Sequence, residues 1–197
     1  MMADAPAPVS RPLGEPKVDP AAARIALAPM SAFGRFSLTA GGLGFRPFAP
    51  GTWGSLPPCV AVAVLVVVLP ADLKWVIDAV LAALLLWSGW ACVRWGQEAE
   101  DLVGVKDPSF AVADEVAGMA ITLLGLRWWM RDAGAEGWWW KDALAIAGAF
   151  LLFRAFDVLK PPPCKGIQSM RGGWGILMDD VIAGVYASVV MHLLMPR

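Results

Sequence analysis

Five apolar stretches dominate this chain, and their lengths limit what it can become. They run from Cys59 to Leu69, Trp75 to Val93, Phe110 to about Leu126, Ala143 to Leu159 and Val181 to Met195. A hydrocarbon core needs about 20 residues of helix, with roughly 17 as the lower limit. The second, third and fourth stretches reach that limit, and the fifth does so if Asp179 and Asp180 begin it. The first falls short even when extended back to Leu56, and reads as a half-span or re-entrant piece. Backbone hydrogen bonds in lipid must close within a segment, so helices are expected, and no barrel-like alternation is present. Composition agrees: 58% of the residues are apolar and only 17% charged, against roughly a quarter charged in a soluble domain. The expected fold is all-α, a polytopic helical membrane protein with about four to five transmembrane or membrane-embedded helices.

Residues 1–33, rich in Ala and Pro with scattered charges, read as a disordered or loosely attached arm. Residues 34–197 are left as the membrane-embedded domain. The arm lacks the charged-then-apolar order of a secretory signal peptide. With five crossings, eleven Lys and Arg fall on the side of the arm and five on the other. The positive-inside rule places the first group in the cytoplasm. A net charge of −1 advertises no nucleic-acid partner. Three widely spaced cysteines and a single histidine, His192, disfavour a disulfide framework, a zinc site and any two-histidine mechanism.

Charges inside such segments are costly, about 2.5–3.5 kcal/mol each on insertion scales. This chain has three clusters of them: Asp114 and Glu115; Arg154, Asp157 and Lys160; and Asp179 and Asp180. An isolated acid most simply marks a helix end in the head-group zone. Asp78 fits that reading, and Lys160, before three prolines, fits a snorkelling anchor. The clusters fit it less well, because loop parity brings all three to one face. Five carboxylates there would repel strongly. Arg154 and Lys160 offset two, and a divalent cation is the natural remainder. All-oxygen ligation suits Mg²⁺, Mn²⁺ or Ca²⁺. The spacings of three from Arg154 to Asp157 and from Asp157 to Lys160 allow a shared helix face. Gly118 and Gly184 each lie four residues after an acid and would let neighbouring helices approach closely. Carboxylates, a cation and two bases suit a phosphate ester.

Two glycine-containing stretches lie beside these clusters. "APGTWGSL" (49–56) reads as a loop whose backbone N–H groups, at Gly51, Thr52 and Gly54, would turn toward an anion, with the Thr52 and Ser55 hydroxyls added. "GGWG" (172–175) is similar. The plainer reading of both is a turn. Other phosphatase chemistries lack their residues: "CKGIQSMR" does not meet Cys-x₅-Arg, and no Asp-x-Asp-x-Thr is present.

Four blocks then stand in order along the chain: "GFRPFAPGTWGSL" (44–56), "DPSFAVADEVAGM" (107–119), "FRAFDVLKPPP" (153–163) and "GGWGILMDDVIAG" (172–184). Through them the chain resembles the phosphatidylglycerophosphatase A family over about residues 34–195. The resemblance implies a bacterial inner-membrane, multi-pass enzyme with its site facing the cytoplasm. Its substrate would be phosphatidylglycerophosphate, hydrolysed with Mg²⁺ to phosphatidylglycerol and phosphate. Asp114, Glu115, Asp157, Asp179 and Asp180 match the family's acidic positions, as catalytic residues and metal ligands. Arg154 and Lys160 match its basic ones, with Thr52 the loop hydroxyl and Gly54 beside it for the substrate phosphate. The hairpin "RWWMRDAGAEGWWWKD" (127–142) is outside the pattern. Water deprotonated by a carboxylate would attack phosphorus, with an aspartyl-phosphate as the alternative route. An ion-coupled small transporter with an acidic cation site is the rival function; it predicts acids at mid-membrane and an inverted repeat.

Overall fold

The computed structural model describes residues 19–126, 139–162 and 173–195, and these are all-α. The helices are α1 (Pro20–Ala26), α2 (Ala32–Leu38), α3 (Pro50–Gly54), α4 (Leu56–Val68), α5 (Trp75–Val103), α6 (Ala113–Leu123), α7 (Trp139–Leu159) and α8 (Gly173–Leu194). Pro50–Val68, Ala71–Val103 and Gly173–Leu194 are long and apolar enough to cross a membrane, by length and composition. Most of the "RWWMRDAGAEGWWWKD" hairpin and "CKGIQSMR" lie outside the described residues.

The first apolar segment is longer than its composition indicates. "APGTWGSL" is helical rather than a loop, and with α4 it makes a nearly continuous 19-residue unit. Pro50, Pro57 and Pro58 all fall in first turns, where a missing N–H costs no helical bond. The unit ends where Leu69 turns extended before Pro70.

The second segment also outruns its apolar stretch. Helix α5 continues ten residues past Val93, because nothing in "RWGQEAEDLV" breaks a helix before Gly104. Gly104, at φ +70°, supplies the left-handed stop, and its N–H donates to the Glu100 carbonyl at 2.8 Å. At 29 residues α5 is about 44 Å long, well over the roughly 30 Å of a hydrocarbon core.

The third expected segment is the largest correction. Helix α6 has 11 residues, not 17, and nine of them are buried. It is apolar because other helices surround it, and a run of apolar residues reads alike in either setting. Gly125, at φ +80°, closes its far end, and the Gly125 N–H donates to Asp78 Oδ1 at 3.1 Å. Asp78 therefore caps a neighbouring helix from the first turn of its own.

Helix α8 begins eight residues before Val181 and takes in Gly173–Gly175. Gly173–Gly175 of "GGWG" are thus part of a helix crossing. A Cβ on Gly173 would overlap the Cys92 carbonyl of α5, and one on Gly96 would come within 2.7 Å of the Gly173 Cα. Because Gly173 meets α5 at Cys92, Trp174 lies at the level of Trp90.

Of the arm expected over 1–33, residues 1–18 lie outside the described residues and 19–33 pack. Ala23, Leu27 and Met30 are buried against α5 with Leu38 and Trp95. Arg35 ties the turn between α1 and α2, donating to the Leu27 and Ala28 carbonyls at 3.2 and 3.1 Å. A second core joins α4 to α8 through Val62, Leu81, Met119, Phe153 and Ala187. The outer faces stay apolar, with Val64, Val67, Leu86, Leu151, Val189 and Leu193 exposed. Trp87, Trp90 and Trp174 are exposed toward one end of the bundle, and the Phe33 ring centroid lies 5.1 Å from that of Trp87. Trp75 and Trp140 are exposed at the opposite end. Two such belts are what the interfaces of a bilayer favour.

Candidate active site

The site is built on the crossing of α6 and α8, the most extensively packed helix pair. A Cβ on Gly118 would sit 2.5 Å from the Asp180 carbonyl oxygen, and one on Gly184 would overlap the Gly118 carbonyl. Thr122 seals the contact, its hydroxyl within reach of the Gly118 and Gly184 carbonyls at 3.0 and 3.3 Å. The glycine placed one turn beyond each acid does what the spacing predicted. It lets the backbones touch, so the acids one turn up are forced together.

Oxygens of Asp114, Glu115 and Asp180 lie within 4.8 Å of one another. Asp114 and Glu115 occupy the first turn of α6, where the positive end of the helix dipole favours a carboxylate. Around them opens a pocket of about 210 Å³, also lined by Asp107, Asp157, Lys160 and Asp179. Two of the acids are neutralised by bases on α7 and at its end. Arg154 pairs with Asp157 at 2.7 Å, and Lys160 Nζ donates to Asp179 Oδ2 at 2.9 Å. Burial works against the Lys160 ammonium. The hydrogen bond and charge of Asp179 outweigh that, so its pKa is raised and it stays charged at neutral pH.

Charge is left over on the acidic side. Asp114 Oδ1, Glu115 Oε2, Asp179 Oδ1 and Asp180 Oδ2 are buried oxygens without a hydrogen-bond partner. Asp114, Asp179 and Asp180 are only 4–7% exposed. Buried carboxylates of this kind are stable when a cation completes them. The donors are all oxygen, the set that suits Mg²⁺, Mn²⁺ or Ca²⁺. A divalent ion therefore fits these residues.

The predicted residues divide. Asp114, Glu115, Asp157, Lys160, Asp179 and Asp180 line one pocket, and Arg154 reaches it through Asp157. Thr52 does not line it. The segment around Thr52 also spends its backbone donors internally: the Thr52 and Trp53 N–H groups bond to the Ala49 carbonyl, and Ser55 N–H and hydroxyl to Gly51. What α3 contributes instead is close approach. A Cβ on Gly54 would meet Val112 at 2.7 Å, and one on Gly51 would overlap Glu115 Oε1 and come within 3.2 Å of the Arg154 guanidinium. Helix α3 thus comes to the acidic side. Asp180 lies six residues beyond Trp174, about 9 Å along α8.

Two features escaped the sequence reading. Asp107 lines the pocket although it lies in a loop, with no helical spacing to flag it. Gly51 rather than Thr52 makes the contact with Glu115. In the structure Ala49, Asp107 and Lys160 each precede a proline, and all three have φ between +44° and +52°. Non-glycine residues seldom adopt that region, and each such position stores on the order of 1–3 kcal/mol of strain. Each stands where the chain enters or leaves the site.

The model of one family, phosphatidylglycerophosphatase A, matches residues 36–195. The chain belongs to the phosphatidylglycerophosphatase A family. Members of that family are phosphatases, and this chain is an enzyme of that kind. Three curated relatives agree in extent. A protein of Bacteroides thetaiotaomicron named "Putative phosphatidylinositol-3-phosphatase" is 36% identical over 156 residues, covering 76% of this chain and 86% of its own. A phosphatidylglycerophosphatase A of Haemophilus influenzae is 36% identical over 144 residues, covering 73% and 77%. One of Escherichia coli is 32% identical over 155 residues, covering 78% of each. No solved structure matches the chain significantly. The phosphatidylglycerophosphatase A match takes in every acid and base of the pocket as well as α3.

Proposed function

We propose that this protein removes the terminal phosphate of phosphatidylglycerophosphate, giving phosphatidylglycerol and inorganic phosphate, and that it needs Mg²⁺ to do so. One observation carries the reading. Three carboxylates from two helices converge within 4.8 Å with unpartnered buried oxygens, beside a charged lysine, under an apolar outer surface. The names of the Haemophilus and Escherichia relatives supply the substrate. We place the enzyme in the bacterial inner membrane as a multi-pass protein, with the pocket facing the cytoplasm.

The division of labour follows from the charges. Some of Asp114, Glu115, Asp157, Asp179 and Asp180 would hold Mg²⁺, with the clustered Asp114, Glu115 and Asp180 foremost. When bound, the ion neutralises phosphate oxygens and makes water more acidic. Lys160 and Arg154 would exchange their carboxylate partners for phosphate oxygens and take up charge developing in the transition state. Both are already held in place by Asp179 and Asp157, so little order is lost when substrate arrives. A carboxylate outside the cation's ligand set would accept the proton of the attacking water. Thr52 and Gly54, on the helix beside Glu115, would bound the phosphate from the side of α3. The acyl chains would stay among the exposed apolar faces of the bundle.

The test is phosphate release by purified protein in detergent, with Mg²⁺ and with excess chelator. Phosphatidylglycerophosphate and phosphatidylinositol 3-phosphate would be assayed in parallel. Release from phosphatidylglycerophosphate that chelator abolishes is the expected result. Well-folded protein that prefers the inositol lipid would move the assignment to that head group. Release unaffected by chelator would remove the Mg²⁺ requirement.

A further inference from the structure

We propose that Asp107 is a further cation-holding carboxylate of this pocket, and that Glu100 is the residue that positions it. The proposal rests on the cation site described above. Asp107 lines the pocket together with Asp114, Glu115, Asp157, Asp179 and Asp180, yet it comes from neither α6, α7 nor α8. It reaches the pocket from the loop after α5.

The placement of Asp107 is enforced. Its φ of +52° lies in the left-handed region, and Pro108 follows it. A residue before proline is pushed toward extended backbone, so this conformation needs something to hold it. Glu100 does so. This carboxylate is 9% exposed, on the part of α5 that extends past the apolar stretch. Its Oε1 accepts a hydrogen bond from the Asp107 N–H at 2.9 Å. The overhanging turns of α5 thus carry a buried acceptor to the loop backbone, and the bond pins the loop where Asp107 lines the pocket. A buried carboxylate that bonds a main-chain N–H is costly to keep unless the position it fixes matters.

The pocket itself points to a ligand. Asp114, Asp179 and Asp180, each more than nine-tenths buried, line it with unpartnered oxygens. Asp107 comes to that group from a separate segment. A cation that takes one oxygen from each of the three clustered acids needs further oxygen ligands, six in all for Mg²⁺. A carboxylate on a second side would enclose the ion.

The experiment measures Mn²⁺ binding by electron paramagnetic resonance on the full chain in detergent, with a thermal melt and phosphate release on the same samples. The variants are Asp107→Asn, Glu100→Leu, Glu100→Gln and the double variant Glu100→Leu with Asp107→Asn. Asn tolerates the left-handed region, so Asp107→Asn removes the charge and keeps the backbone. The expected loss of Mn²⁺ affinity is roughly 10-fold or more for Asp107→Asn, and within about 10–100-fold for Glu100→Leu. Glu100→Gln retains an acceptor oxygen and should restore most of the binding that Glu100→Leu loses. The double variant should bind no worse than Asp107→Asn alone, since both changes remove the same ligand. Wild-type affinity in Asp107→Asn, while the wild type binds Mn²⁺, overturns this proposal and leaves the cation site standing. A wild type that binds no Mn²⁺ overturns both. Equal losses in Glu100→Gln and Glu100→Leu would remove the role given to Glu100.

Discussion

Asp180→Asn is expected to lower phosphate release by on the order of 10²–10³-fold, the effect of removing one preorganised charge from a transition-state site. Its melt should move the other way. Without a cation, Asp114, Glu115 and Asp180 face one another within 4.8 Å, and like charges so close destabilise the fold that holds them. Neutralising Asp180 removes that repulsion. In excess chelator the variant should melt above the wild type, and added Mg²⁺, which should raise the wild-type melt, should do little for the variant. Ligand-linked stabilisation requires a site, and this change removes part of it. Thermal unfolding with and without Mg²⁺, run beside the phosphate assay, reads both effects. A variant that melts lower than wild type in chelator would show that Asp180 is a structural partner rather than a crowded ligand.

Gly184→Val is expected to fail in the opposite pattern, losing stability and activity together. The Cβ it introduces overlaps the Gly118 carbonyl, and a backbone atom in a buried helix has no room to yield. Helices α6 and α8 must separate or tilt. Overpacking of this kind costs about 1–3 kcal/mol and sometimes more, and Val adds two further methyl groups. Separation also parts Asp114 from Asp180, so cation binding falls even in molecules that stay folded. The reading is a lower melt that Mg²⁺ does not restore, with Gly184→Ala intermediate. An unchanged melt for Gly184→Val would mean that the crossing is looser than its geometry.

How much of this was legible in the sequence depended on whether the signal was local. The helical membrane class followed from composition and segment length. The two acid–glycine pairs, Asp114 with Gly118 and Asp180 with Gly184, predicted a close crossing because both members sit on one helix face. The pairs Arg154–Asp157 and Lys160–Asp179 formed for related reasons, the first through spacing and the second through shared placement. Helix ends were less legible. An apolar stretch ends where polar residues begin, but a helix ends where the backbone cannot continue. Helix α5 therefore ran on to Gly104, and α8 started at Gly173. The shortness of α6 was hidden because a helix enclosed by protein is as apolar as one enclosed by lipid. Asp107 was missed because its position depends on a single long-range bond from Glu100, which no spacing rule encodes. In sequence the glycines of "APGTWGSL" read as flexibility, yet Gly51 and Gly54 serve to bring α3 against α6.

With Trp174 at the bilayer surface, the run of about 9 Å along α8 from it to Asp180 would act on lipid substrates as a ruler. A phosphate that ends a glycerol tether would dip to the acids while the phosphodiester and the acyl roots stay at the surface. A phosphate joined directly to diacylglycerol would lack that slack, and would reach the acids only by dragging its chains out of register with the surrounding leaflet. The protein would then tell lipid phosphomonoesters apart by reach as well as by head-group contacts, and turnover of phosphatidic acid at an equal rate would argue against such a ruler.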